Sequence, residues 1–293
     1  MKFKQSIIAV YFFLTPALSA IFVFFFLPVI AAFIISFTDF DIYTLSNYSL
    51  LRFIGLKNYV KLFADPLFFK ALINTFYFVI LASPLSIIIS LGAAMLLNSK
   101  LVKMKSFFRL SYFIPVVTTL VAVAIVWRFI YHPKFGIINY LLSFIGITPI
   151  DWLGEPSTAM PALVLMSVWK NFGYNMIIFI AGLQNIPDEL YEAASIEGAN
   201  SLQKFNSITL PMLAPTTIFI SIITMIGNFQ LFAEPYVMTQ GGPLNSTLSI
   251  VQYMYQEGFR WWNMGYSAAI AFVLFFIIMV GTLIQLKIQK VSE

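Results

Sequence analysis

The chain contains no cysteine and a single histidine, His132, in 293 residues. Without thiols there is no disulfide framework, no thiolate nucleophile and no cysteine-based metal site. One imidazole cannot form a cluster of histidine ligands. Charge is equally scarce, since Asp, Glu, Lys and Arg make up only 10% of the residues while 60% are hydrophobic. That balance lies far outside soluble norms and places the chain in the membrane class. No G-x-x-x-x-G-K-[ST] run occurs, so no Walker A loop is present to cradle nucleotide phosphates. H-E-x-x-H, a G-x-S-x-G elbow and an Asp/Glu pair spaced for acid–base work are missing too. His132 sits in a loop without an obvious partner and reads as a polar loop residue rather than a catalytic base. The net charge of +5 is modest. Basic residues gather at the ends of apolar runs, which is a topology signal rather than a nucleic-acid footprint.

What is abundant is apolar sequence in runs long enough to cross roughly 30 Å of hydrocarbon as helices. The first extends from about Ile7 to Phe37 behind Lys2 and Lys4. Ala17-Leu18-Ser19-Ala20 resembles a signal-peptidase site, yet apolar residues continue from Phe22 to Ile35. The run is therefore expected to be a retained helix, bent at Pro16 or Pro28. Further spans are predicted over about 71–97, 107–131, 157–183, 212–233 and 265–286. Six crossings place both termini on one side. Lys100, Lys103, Lys105 and Arg109 follow the second span in a short acid-free loop, which marks that side as cytoplasmic. Lys287 and Lys290 mark the end of the last span. Over the whole chain the inner excess of basic residues is thin. Trp127, Trp261 and Trp262 suit interface anchors.

The longest polar interruption of the second half runs from Pro187 to Pro215. Pro187 suits a first helical position, with Asp188 and Glu189 in the turn that the helix dipole favours for acids. Gly198 is the natural stop, because a left-handed terminal residue costs glycine least. Asn200 or Ser201 then caps a second helix carrying Leu202, Phe205 and Ile208, and Pro211 is expected to end it. The prediction is a helical elbow at the membrane surface that presents Glu192, Glu197 and small residues outward. Four acids beside an anionic leaflet are electrostatically unhelpful unless a partner protein covers them.

The spacing of Glu192-Ala193-Ala194, Gly198, Phe205, Ile208, Leu210-Pro211 and Pro215 resembles the cytoplasmic "EAA" loop of binding-protein-dependent ABC importer permeases. Glu197 stands where Asp is common and keeps the charge. An incidental amphipathic helix would account for the polarity but not for the spacing. Gly55 to Tyr59, Asp65-Pro66, Asn74-Thr75, Gly136 to Asn139, Leu141-Leu142, Trp152-Leu153 and Thr239 to Pro243 with Thr247 extend the resemblance to nearly the whole chain after Gly55. It implies an all-α integral membrane protein with the type I importer permease fold. Residues 1–70 would form the N-terminal helix and outer segment, and 71–293 the permease core with its coupling loop at 184–211. Glu192, Ala193, Ala194, Glu197, Gly198 and Pro211 would then couple to an ATPase.

Polar residues also recur inside the predicted spans. Ser167, Lys170, Asn171 and Tyr174 follow i, i+3, i+4 and i+7 spacing, and Thr224, Asn228 and Leu231 share a second face with Gln230 to one side. Lipid cannot hydrogen-bond such groups, so they face other helices or a water-filled passage. For any one residue, bonding to a neighbouring helix competes evenly with lining a passage. Lys170 is the sharpest case, since an ammonium left alone in hydrocarbon costs at least about 2.5 kcal/mol. It would snorkel outward, pair with an acid of a partner, or contact the substrate. Maltose-type permeases, which the sequence resembles most, imply a mid-membrane sugar site. Aligned through the elbow, Ser167, Lys170, Asn171, Tyr174, Thr224, Gly227, Asn228 and Leu231 fall on its positions, with Tyr112 a further candidate. Leu231 replaces a polar residue of that type.

The resemblance further implies a second, related permease, two ATPase subunits that bind ATP and Mg, and an external solute-binding protein that delivers carbohydrate. This chain itself would bind no cofactor and catalyse nothing. Its expected place is a bacterial or archaeal cytoplasmic (inner) membrane, in contact with lipid and not nucleic acid, with both termini in the cytoplasm. An ion-coupled carrier of a small polar solute is the rival reading. It is weakened by the shortage of buried acids, Glu234 being expected near the outer end of its span.

Overall fold

The computed structural model describes residues 2–99 and 102–292, with side chains from 11 to 287 apart from 45 and 48. The topology charges assigned to Lys2, Lys4, Lys100 and Lys290 lie outside the described residues or side chains. Helices account for all regular structure among the described residues, apart from one isolated bridge between Thr38 and Phe53. Among the described residues five helices are long and apolar enough to cross a membrane, and a bent pair makes a sixth crossing if it counts as one span. The chain divides into two compact units. One combines the N-terminal segment through Pro66 with Tyr253–Phe275; the other combines Leu67–Gln252 with the stretch that begins at Phe276.

In the first unit, α1 (Lys2–Ile21) passes through a π turn at Phe22–Phe26 into α2 (Leu27–Ile35). The helix runs unbroken past Pro16. The widened turn comes just before Pro28, whose ring lacks the donor for the carbonyl four residues back and crowds it. The same device recurs later, where a π turn at Phe205–Thr209 leads into Leu210-Pro211. No described side chain of 11–35 is buried, which costs little where the surroundings are lipid. The segment between the first and second long helices is tied to the start of the last one. Asp65 accepts hydrogen bonds from Tyr253 and Tyr266, and the Lys61 ammonium lies 4.4 Å from the Tyr266 ring centroid. Asn58 donates to the carbonyls of Ser36 and Thr38.

The second unit is organised around four segments. They are α3 (Pro66–Asn98), the pair α4 (Lys105–Val117) and α5 (Leu120–Ile130), and α6 (Pro156–Gln184). Beyond the elbow come α7 (Ala214–Phe229) and α8 (Ala233–Met238), and the last helix is α9 (Met264–Ser292). The least apolar of the long helices, α6, is the most buried. In a bilayer that is the expected order, because polar side chains must face protein. One apolar cluster packs Phe78, Ala82, Val123 and Tyr131 around Leu163 and Met166. Another packs Ala94 and Leu97 with Met176, Phe179, Leu213 and Ile220. Gly173 makes the α4–α6 contact possible, since a Cβ there would stand 2.0 Å from the Tyr112 carbonyl oxygen.

One sequence expectation is corrected here. The predicted third span, 107–131, is not one rod: α4 and α5 meet at an angle of 99°. Thr118 and Thr119 take extended backbone with ψ of 142° and 135°, a conformation that suits β-branched residues better than helix does. The predicted fifth span, 212–233, corresponds to a single crossing over Ala214–Met238, within which the helix is interrupted between Phe229 and Ala233.

The loop that closes this unit is stapled to α3. Asn74 donates to the carbonyls of Asn245 and Leu248 at 2.8 and 3.0 Å, and Thr75 accepts from the Ile250 amide. Within the loop the Thr239 and Thr247 hydroxyls are 2.6 Å apart, and Thr247 donates to Gly242 O. Asn74-Thr75 and Thr239 to Pro243, separate motifs in sequence, are thus one structure.

Candidate functional site: a polar cavity and an acidic elbow

Three helices meet through side-chain amides and hydroxyls rather than through apolar packing alone. Asn175 of α6 donates to Ser86 of α3 at 3.3 Å and to Thr224 of α7 at 3.0 Å. Asn228 of α7 donates to Ser83 of α3 at 2.8 Å. Asn171 reaches Ser167 one turn away on α6. These bonds hold open a cavity of about 520 Å³. Ser167, Asn171, Tyr174, Thr224, Gly227, Asn228 and Leu231 all line it, with Phe78, Asn175, Phe232 and Glu234 among the rest of the wall. Both stripes picked out by helical periodicity therefore face one space. For Asn228 and Thr224 the two competing roles coincide, because each bonds a neighbouring helix and still borders the cavity.

Tyr112 and Lys170 are not in that lining. Tyr112 is half-exposed and packs its ring on Phe172 at 5.6 Å. Lys170 is buried and its Nζ donates to Val116 O at 3.2 Å. The reason lies in the bend between α4 and α5, because a helix that stops short leaves its last carbonyls without intrahelical donors. The Thr118 hydroxyl takes Ile114 O and the Lys170 ammonium takes Val116 O, a favourable charge for a helix C-terminus. None of the three fates anticipated for Lys170 is this one.

Sequence reasoning also missed Asn175 and Glu234 as wall residues. Asn175 lies one position round the helix from Tyr174, just off the stripe. Glu234 was expected near the outer end of its span; it lies near one end of the crossing over Ala214–Met238 and is buried in the first turn of α8, within electrostatic reach of Lys170 and beside Ser167. The only signal available was an acid inside an apolar run. Among the described residues no group of three or more His, Asp or Glu could hold a metal ion.

The elbow is a pair of short helices. The first, Asp188–Ile196, follows Pro187, which is the N-cap rather than the first helical residue. Glu197 is its C-cap and Gly198 has a φ of +82°. The Ala199 amide donates to Ala194 O and the Gly198 amide to Ser195 O, so the end is a Schellman motif that closes the carbonyls the last turn leaves open. Asn200 and Gln203 then exchange side-chain-to-backbone bonds in a capping box that starts Ser201–Lys204. The helical path continues through the π turn and past Pro211 to Met212, breaking only at Leu213; the expectation that Pro211 ends it is corrected. The Tyr191 and Thr209 hydroxyls, 2.8 Å apart, and the Lys204–Ser195 bond brace the two arms. Glu192, Ala193, Glu197 and Gly198 are exposed and Ala194 half-buried. A groove of about 490 Å³ between the arms is lined by Ala193, Ala194, Glu197 and Gly198; neither Glu192 nor Pro211 faces it.

Comparison with known proteins places this architecture. The chain is 40% identical over 283 residues to the arabinooligosaccharides transport system permease protein AraP of Bacillus subtilis (strain 168), covering 96% of this chain and 88% of that protein. It is 36% identical to the lactose transport system permease protein LacF of Rhizobium radiobacter, covering 96% of this chain and 93% of that one. A solved chain of a bacterial ABC transporter involved in the import of the acidic polysaccharide alginate shares the fold, with a TM-score of 0.81 over 99% of this chain and 97% of its own at 21% identity. The model of the binding-protein-dependent transport system inner membrane component family matches residues 68–290. The chain belongs to that family of binding-protein-dependent transport system inner membrane components.

Proposed function

We propose that this chain is the non-catalytic permease subunit of an ATP-driven importer, forming with a second permease the passage for a sugar or oligosaccharide handed over by an external binding protein. The observation that carries the reading is the elbow. Ile196 is 88% exposed and Leu202 67% exposed, interleaved with Glu192 and Glu197. Such a surface suits neither water nor lipid, and suits the face of another protein. An ATPase subunit gripping it would receive a helix pair braced by Tyr191–Thr209 and sharply turned at Gly198. Glu192 offers a charge-assisted contact to a basic residue of that subunit. The inner-membrane, multi-pass character follows from the family; placing the elbow and both termini in the cytoplasm is our assignment, as are the coupling and passage roles of the individual residues.

Mechanically, closure of two ATPase subunits on their nucleotide draws the elbows together. Because α7 begins two residues after the elbow path ends at Met212, a displaced elbow levers the helix that carries Thr224 and Asn228. The cavity then opens alternately to either side, and amides, hydroxyls and aromatic rings exchange water for saccharide hydroxyls and ring faces. The test is ATP-driven saccharide uptake by the complete transporter in proteoliposomes. Glu192→Ala and Gly198→Asp are expected to abolish uptake while ATP hydrolysis and membrane insertion persist. Full uptake by both variants, or uptake driven by an ion gradient without the ATPase, overturns the proposal.

A further inference from the structure

We infer that Glu234 makes this passage selective for uncharged saccharides over anionic ones, an inference that rests on the transport reading above. The cavity wall carries amides, hydroxyls and aromatic rings and, as its single charged side chain among the lining residues, the Glu234 carboxylate. Lys170 is within electrostatic reach of Glu234, but its ammonium donates to Val116 O at 3.2 Å and does not line the space. Of these two opposite charges only the acid belongs to a residue of the cavity wall. A carboxylate accepts saccharide hydroxyls in charge-assisted hydrogen bonds. Phe78, Tyr174 and Phe232 offer ring faces nearby. An anionic sugar meets like charge at a wall whose low-dielectric surroundings weaken screening. A lysine in a span invites the opposite expectation, an anion site; its place outside the lining reverses it.

The experiment uses the complete reconstituted transporter with its binding protein. Lactose, maltotriose and arabinotriose are each compared with their aldonic acids, and every uptake rate is normalised to binding-protein occupancy. In the wild type the neutral member of a transported pair is expected to enter about tenfold faster or more. Glu234→Gln removes the acid and leaves the Lys170 cation, so the ratio should fall by about tenfold. The binding protein is the same in both preparations, so a changed ratio belongs to the permease. An unchanged ratio in Glu234→Gln overturns the inference. If that variant does not assemble, a wild-type ratio near one overturns it and a large ratio supports it. Absence of ATP-driven uptake for every saccharide would sink the functional reading itself; uptake without charge preference would sink only this inference.

Discussion

Lys170 shows how one side chain changes meaning once its surroundings are known. In sequence it is an isolated ammonium in a span; in the structure it caps a broken helix within electrostatic reach of Glu234. Two buried opposite charges within electrostatic reach support each other, so losing one alone costs more than losing both. Lys170→Met is therefore expected to lower thermal stability of the detergent-purified complex sharply, and Lys170→Met with Glu234→Gln to recover most of it. Additive losses in the double variant would show that the two groups do not interact. Gly198 is the other residue whose identity matters singly, since a side chain at a φ of +82° is strained in any L-residue. Its type, position and conformation were all legible, because only one backbone shape rewards glycine between two capped helices.

At the scale of elements, the elbow was readable nearly residue by residue and the breaks within helices were not. Capping chemistry is local: Asn200, Gln203 and Gly198 act on amides and carbonyls within a few positions, so spacing alone predicts them. Asn200→Ala is expected to cost about 1 kcal/mol of local stability. Hydrogen exchange should show faster exchange confined to the amides of 201–204, with the spans unaffected. The 99° bend between α4 and α5 had no such local signature. Thr118-Thr119 inside an apolar run is compatible with a straight helix, and the extended form is held by groups brought from elsewhere, Lys170 on Val116 O among them. The same holds for the restart at Ala233, where the Leu231 carbonyl finds the Ser249 hydroxyl. The two π turns before Leu27-Pro28 and Leu210-Pro211 share a cause that proline states openly, yet sequence alone does not say whether the helix widens, bends or stops.

For the whole molecule, the absence of cysteine provides a clean background for testing orientation. Single cysteines at Glu192 and at Gln240 report on the elbow and on the stapled loop. The loop position is expected to react with a membrane-impermeant maleimide in intact cells, and the elbow position only after permeabilisation. The reverse pattern would invert the assigned topology and remove the elbow from any cytoplasmic ATPase. The staple of Asn74 and Thr75 across to 245–250 spans far more sequence than any local rule reaches, and so does the convergence of the α6 and α7 stripes on one cavity.

By itself the sequence determined the membrane class, the long apolar helices, the chemistry of the elbow and which faces of α6 and α7 are polar, because periodicity and capping are short-range properties of the chain. Only the tertiary structure decided where those faces meet, that the third span breaks, and that Glu234 borders the cavity while Lys170 does not. Those outcomes depend on carbonyls and amides freed in one helix being satisfied by side chains of another, and in a medium without water that exchange is settled between helices rather than along them.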